Sequence, residues 1–393
     1  MNIIIIGTGM YVTGRGTGEY GTILPAITEW KRSGKHLGKV FLVGTNRKHS
    51  LEALQKAKTL QTITGVQYDI EVFPNKDGID DKAYLQILST LKQPACSFVA
   101  VPDHLHCEVA TACIKRDLHT LVVKPLTPTV EEAEKLISLA KKNNVYGAVE
   151  FHKRWDRQNR ILRDDYQAGK FGIPLYTWTE YSQRKSIPSQ TFRTWVEQSS
   201  ILQYLGVHYV DIIRYVTDAV PVKVMACGQK EWLKEQGLDV HDSIQCLVEW
   251  RTREGHHFIQ TLLVNWIDSE QSSAMSDQKL KFVGTLGRYE GDQKERGVRL
   301  LYEDQKLEEP NPDFCRPYQR YDQTMEWEGY GIHSITTFLD DVSSIYENRI
   351  RPAQLEGSRP TFSESLYSTA VIEAVSKSLQ NLSSWQHVTM AGL

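Results

Sequence analysis

Met1-Asn2-Ile3-Ile4-Ile5-Ile6-Gly7-Thr8-Gly9 is the stretch on which the reading of this chain turns. Its isoleucines are β-branched, and a short apolar run closed by glycine reads as a buried strand. Glycine straight after such a strand lets the backbone turn tightly and approach a pyrophosphate, while a following helix offers free N–H groups. Gly7, Thr8 and Gly9 are therefore predicted to cradle a dinucleotide. A regular G-x-G-x-x-G turn would place its third glycine at position 12, which is Val12. Instead the loop runs through Gly14, Gly16, Gly18 and Gly21 before Thr22 to Trp30 reads as helix, so the turn is lengthened or carries a flexible insert.

Outward from that turn, strand-like runs at Lys39 to Gly44, Ser97 to Val101, His119 to Val123 and Val145 to Glu150 alternate with helical stretches such as Glu108 to Lys115 and Thr129 to Lys142. That alternation predicts a parallel sheet covered on both sides, a Rossmann-type α/β domain over residues 1–149. After Phe151 the texture changes. A helical stretch to Gln167 is followed by strand-like runs at Leu175 to Gln183, Val222 to Gln229, Ser243 to Trp250, Phe258 to Trp266 and Lys279 to Val283, with few helices between them. Residues 150–393 are expected to form an α+β domain on a large, mainly antiparallel open sheet. Within it 286–330 reads as a hairpin and a long loop, and Ile332 to Glu347 and Ser363 to Gln380 as helices.

Composition bounds the partners. Lys and Arg number 46 against 48 Asp and Glu, a net charge of −2 that offers no basic field to nucleic acid. The apolar start has no basic flank and is cut by Gly7, and no later apolar run reaches the ~20 residues of a membrane helix, so a cytoplasmic protein is expected. Six scattered cysteines with no C-x-x-C pair argue against disulfides and against a thiolate zinc site; His104-Leu105-His106-Cys107 lacks a second cluster, and no metal is expected.

Two further stretches carry chemistry. Lys124-Pro125 closes the strand from Leu118, at the carboxyl end where ligands of open α/β sheets collect, and the proline restricts the lysine backbone. Tyr204 to Tyr215 reads as a helix on which His208 and Asp211, three apart, share a face. The second strand ends in Thr45-Asn46-Arg47-Lys48 with no carboxylate for a ribose 2′-hydroxyl; Asn46 and Arg47 suit a 2′-phosphate, so NADP is favoured over NAD.

Val101-Pro102-x-x-x-His106, Lys124-Pro125, Gly206-x-His208-x-x-Asp211 and Asn265-Trp266 together resemble the Gfo/Idh/MocA oxidoreductases, over nearly the whole chain. The resemblance implies a dehydrogenase or reductase that moves hydride between NAD(P) and a hydroxyl or keto carbon of a sugar, cyclitol or nucleotide-sugar derivative. It places the active site between the two domains, Lys124 near nicotinamide and substrate, and His208 and Asp211 at the reacting centre. Val101, Pro102, His106 and Pro125 fall beside the cofactor. A homo-oligomer, dimer or tetramer, through the C-terminal sheet is also implied. Histidine has a suitable pKa for taking the hydroxyl proton, so His208 is assigned the base; Lys124 either stabilises alkoxide charge or relays the proton, and Asp211 orients His208 or holds a second hydroxyl.

The chain departs from the family pattern at Val123, where Glu-Lys-Pro is usual, at Tyr204, where an aspartate commonly precedes the glycine by two, and at Asp103, where a loop asparagine is frequent. Tyr204, with His152 and Arg154 from Glu150-Phe151-His152-Lys153-Arg154, is expected to face substrate. Two alternatives stay open: a nicotinamide-binding sensor without turnover, and a glycosidase-like lyase that uses tightly held NAD.

Overall fold

The structure, a computed structural model, describes residues 1–390. Its first elements in chain order are β1 (Asn2–Ile6), α1 (Met10–Thr13), α2 (Ile23–Arg32), β2 (Val40–Val43), α3 (Arg47–Thr64), β3 (Ile70–Phe73), α4 (Ala83–Thr90), β4 (Ala95–Val99), α5 (His106–Ile114), β5 (His119–Val123), α6 (Val130–Lys142) and β6 (Gly147–Glu150). Ile3, Ile4 and Ile5 are fully buried, as a central strand covered on both faces must be. The six strands are all parallel, in the order β3-β2-β1-β4-β5-β6. Strand order reverses between β1 and β4, so the crevice where such sheets bind ligands opens beside Gly7.

The remaining elements are α7 (Arg157–Gln167), β7 (Pro174–Arg184), α8 (Val207–Thr217), β8 (Val220–Gln229), α9 (Trp232–Glu235), β9 (Ser243–Arg251), β10 (His257–Asp268), β11 (Ser276–Gly284), β12 (Arg288–Asp292), β13 (Arg316–Gln319), β14 (Met325–Glu328), α10 (Tyr330–Tyr346), α11 (Phe362–Gln380) and β15 (Gln386–His387). A seven-stranded sheet runs β12-β11-β7-β10-β9-β8-β15, antiparallel throughout except where β7 lies parallel to β10. The helix read from Phe151 to Gln167 is broken. Asp156 accepts a hydrogen bond from the Gln158 N–H, 3.1 Å, and so caps α7, leaving a 3₁₀ turn at His152–Trp155 before it.

Against the single cut expected at 149/150, the chain returns to its first half late. One compact unit comprises Met1–Leu126, Glu132–Trp155 and Asp313–Glu364; the other comprises Thr127–Glu131, Asp156–Pro312 and the chain from Ser365. The return is driven by burial. Ile332, Ile335, Phe338, Leu339 and Val342 form one apolar stripe of α10, and Phe338 meets Phe98 of β4 and Tyr146, each with ring centroids 5.5 Å away. Burying one such ring is worth about 2–3 kcal/mol. Among the described residues no helix is long and apolar enough to cross a membrane.

Candidate functional site

In the first unit the glycine-rich turn is held between strand ends. Gly7 has φ +117°, its N–H donates to Val43 O at 2.8 Å, and a β-carbon there would stand 2.1 Å from Ala100 O. Only glycine fits. At Gly9 a β-carbon would meet nothing within 4 Å, which leaves the turn open to an approaching ligand backbone. That opening fits the close approach of a dinucleotide pyrophosphate.

The lengthened turn is an ordered loop. α1 stops after one turn at Gly14, φ +71°, and α2 restarts at Ile23. Between them Thr22 N–H donates to Tyr11 O at 2.8 Å, and Lys56 Nζ donates to the carbonyls of Thr17 and Glu19 at 2.7 and 2.8 Å.

At the tip of β2, Asn46 caps α3, its Oδ1 accepting from Lys48 N at 2.9 Å. Arg47 is half-buried, its Nη1 donating to Pro74 O at 3.0 Å, and Lys48 is exposed. The loop after β3 runs beside them: Asp80 N–H donates to Thr45 O at 2.9 Å.

Lys124 sits at the tip of β5, 9% exposed, in a cis peptide with Pro125. Burial pulls its pKa from 10.5 down to about 8, opposed by the negative charges of Asp103 and Glu150. His106 joins the two loops that frame this tip: Nδ1 lies 2.8 Å from Pro125 O and Nε2 2.9 Å from Val101 O. His106, Val101 and Pro125 therefore shape the loops around the lysine.

His152 and Arg154 are buried. His152 lies among the rings of Tyr11, Phe314 and Tyr330, with centroids 6.4, 5.1 and 5.7 Å away. Its Nδ1 donates to Glu150 Oε2 at 2.8 Å, while Ser334 Oγ donates to Glu150 Oε1 at 2.6 Å. Burial, with Glu150 next, raises the Tyr11 pKa well above the usual phenol range.

In the second unit a π-helical turn at Leu202–Gly206 leads into α8, which carries His208 and Asp211 at 3% and 1% exposure. Such turns recur at functional sites. A β-carbon on Gly206 would stand 2.8 Å from Leu202 Cδ1 and 3.2 Å from Leu262 Cδ2, so glycine seats the helix start against β10. Tyr204 does not stand alone. Its ring centroid lies 4.8 Å from Phe192, 6.1 Å from Trp195 and 5.9 Å from Trp266, an aromatic cluster one turn before His208. Trp266 is anchored by its Nε1 donating to Gln183 Oε1 at 3.0 Å, and Asn265 Nδ2 donates to Ser182 Oγ at 2.6 Å. Phe192 and Trp195 lie in a segment with no periodicity, so no local pattern points to them.

Residues 1–151 match the family described as an oxidoreductase family with an NAD-binding Rossmann fold, and residues 160–290 match the GFO/IDH/MocA C-terminal domain. The chain is 25% identical over 276 residues to a myo-inositol 2-dehydrogenase of Thermotoga maritima, covering 66% of this chain and 79% of that one. It is 27% identical over 157 residues to a scyllo-inositol 2-dehydrogenase (NADP⁺) of Bacillus subtilis, covering 38% of this chain and 44% of that one. A levoglucosan dehydrogenase solved with NADH superposes with a TM-score of 0.71 at 18% identity, over 99% of each chain, a likeness of fold.

Proposed function

From the premise that this chain belongs to the Gfo/Idh/MocA family of NAD(P)-dependent oxidoreductases, we propose that it interconverts a hydroxyl and a keto carbon on a sugar or cyclitol, with Lys124 and His208 acting on the reacting oxygen. The observation that carries this reading is the buried Lys124, set with a cis proline at the carboxyl edge of a dinucleotide-type sheet and flanked by two carboxylate charges. With its pKa near 8 the lysine is mostly charged at neutral pH. A cation there stabilises negative charge developing on the substrate oxygen far better than water does, because little solvent screens it.

Nicotinamide, when bound, supplies the hydride acceptor or donor. Gly7, Thr8 and Gly9 would hold its pyrophosphate, and Val101, Pro102 and His106 would shape the loop beside it. In the oxidative direction His208 takes the hydroxyl proton, a role worth on the order of 10²- to 10⁴-fold. Asp211 orients that imidazole or holds a second hydroxyl. Tyr204 and its aromatic neighbours favour the C–H face of a ring, as in a cyclitol or pyranose. A homodimer or tetramer through the large sheet goes with this reading, by resemblance to the family.

We favour NADP over NAD, because β2 ends without a carboxylate and Arg47 and Lys48 stand at its tip. Arg47 would turn part of its fork from the carbonyls of Val72 and Pro74 to the phosphate. The test is a fluorescence titration with NADPH and NADH after removal of retained nucleotide. Arg47→Ala is expected to weaken NADPH by about 10- to 150-fold and leave NADH unchanged, on the usual ~1.5–3 kcal/mol of a charged hydrogen bond. Equal weakening of both would assign Arg47 to the fold of the loop alone.

A further inference from the structure

The loop that lengthens the glycine-rich turn carries one long cationic side chain. α1 ends at Gly14, where the backbone is left-handed and a β-carbon would stand 1.9 Å from Glu19 O. Only glycine is seated there without strain. From it the chain enters Arg15-Gly16-Thr17-Gly18, and a β-carbon on Gly16 or Gly18 would meet nothing within 4 Å. Arg15 folds back from this bare segment onto the cofactor turn. Its backbone N–H donates to Thr13 Oγ1 at 3.2 Å, and its Nε donates to Thr8 O, also at 3.2 Å. Thr8 in turn packs against the end of β2, since a β-carbon on Gly44 would stand 3.0 Å from Thr8 Oγ1.

α3 borders the same loop. Lys56 holds the carbonyls of Thr17 and Glu19, and Arg15 Nη1 lies 3.8 Å from Glu52 Oε2. Lys48, Glu52 and Lys56 follow one another at intervals of four and so share one face of the helix. The face that meets the loop therefore begins at Lys48, beside the β2 tip. Nε of Arg15 is taken by Thr8, while among the described residues its two terminal nitrogens make no hydrogen bond. The ion pair with Glu52 is 30% and 45% exposed, and such a pair holds its partners weakly. The guanidinium is thus fixed at one edge, with the edge that suits a phosphate left open.

We propose that Arg15 is a further cation of the 2′-phosphate site: its terminal nitrogens bind the 2′-phosphate of NADP from the loop, as Arg47 and Lys48 do from the β2 tip. The proposal rests on the reading that the β2 tip takes a 2′-phosphate, and it gives the extra loop a purpose that the pyrophosphate cradle does not require. Glu52 is the group the phosphate displaces from the arginine.

The test is equilibrium binding to the nucleotide-free full chain, by fluorescence for NADPH and NADH and by displacement for adenosine 2′,5′-bisphosphate and 5′-AMP. Arg15→Gln removes the charge and keeps an amide donor for the Thr8 carbonyl. It is expected to weaken NADPH and the bisphosphate by about tenfold or more, with NADH and 5′-AMP unchanged. Equal weakening of NADPH and NADH would assign Arg15 to the pyrophosphate or to the fold of the loop, and unchanged NADPH would detach it from the cofactor; either result overturns the inference. Glu52→Gln, an exposed change, decides should Arg15→Gln fail to fold. It is expected to tighten NADPH a few-fold and leave NADH as it was, whereas weaker NADH would put the Glu52 carboxylate on the ribose and overturn the proposal. The native chain separates this inference from the reading beneath it. A native chain that binds NADPH no tighter than NADH sinks the 2′-phosphate reading itself, while a native preference for NADPH that survives in Arg15→Gln sinks Arg15 alone.

Discussion

The β5 tip in one unit and the start of α8 in the other solve different problems with different materials. Around Lys124 the charges are those of Asp103 and Glu150, both buried, and Glu150 is tied in turn to His152 and Ser334. Around His208 and Asp211 the preceding turn brings rings instead: Tyr204, Phe192, Trp195 and Trp266. The first arrangement fixes charge, and the second offers shape and apolar surface. The difference teaches that rate and substrate choice should separate on mutation, because electrostatic stabilisation acts on the transition state while ring contacts act on ground state and transition state alike.

The sharpest way to break that comparison is His208→Ala. As the assigned proton acceptor its loss should lower kcat about 10³-fold with KM within a few-fold of native, measured with NADP⁺ and a panel of cyclitols and aldoses. A KM defect with native kcat would move His208 into the shape-determining set.

A second prediction sharpens the electrostatic side. Because the folded pKa of Lys124 is depressed to about 8 from 10.5, the unfolded chain binds more protons between those values, and stability gains with rising pH across that window. Lys124→Met lacks this gain, so it should be more stable than the native chain at pH 7 by about 3 kcal/mol at most, the advantage fading as pH passes 8 and approaches 10.5. Denaturant melts at pH 7 and pH 10 test it; a variant less stable at pH 7 would show that the carboxylates need the cation more than the cation suffers from burial.

The smallest effect belongs to the rings. Trp195→Ala should raise KM several-fold with little change in kcat, on the ~0.5–1.5 kcal/mol of an aromatic contact. A large fall in kcat would instead place Trp195 in the support of α8.

How much of this was legible in the sequence follows from how local each signal is. The Ile3–Ile6 run, the helix period of α8 and the position of Lys124 at a strand end are set by neighbouring residues, and all three stand where the sequence placed them. β3 was not legible because only four residues form it and Glu71 interrupts its apolar pattern. The parallel pairing of β7 with β10 joins residues about 80 positions apart, where no local pattern can choose between pairings. The helix α10 was legible as a helix, but its packing on the first sheet depends on Phe98 and Tyr146, which no periodicity connects to Phe338. That Glu150 stands beside Val123 is set by the register of β5 and β6, which no local pattern reveals.

The role of Lys124 in the chemistry is tested most directly by Lys124→Ala, measured for NADPH binding and for turnover on the same preparation. It predicts saturable NADPH binding within a few-fold of native together with a loss of turnover of about 10²-fold or more, as removal of a charge-stabilising donor produces. Native turnover in a variant that binds NADPH normally would contradict it, and would detach the buried lysine from the chemistry.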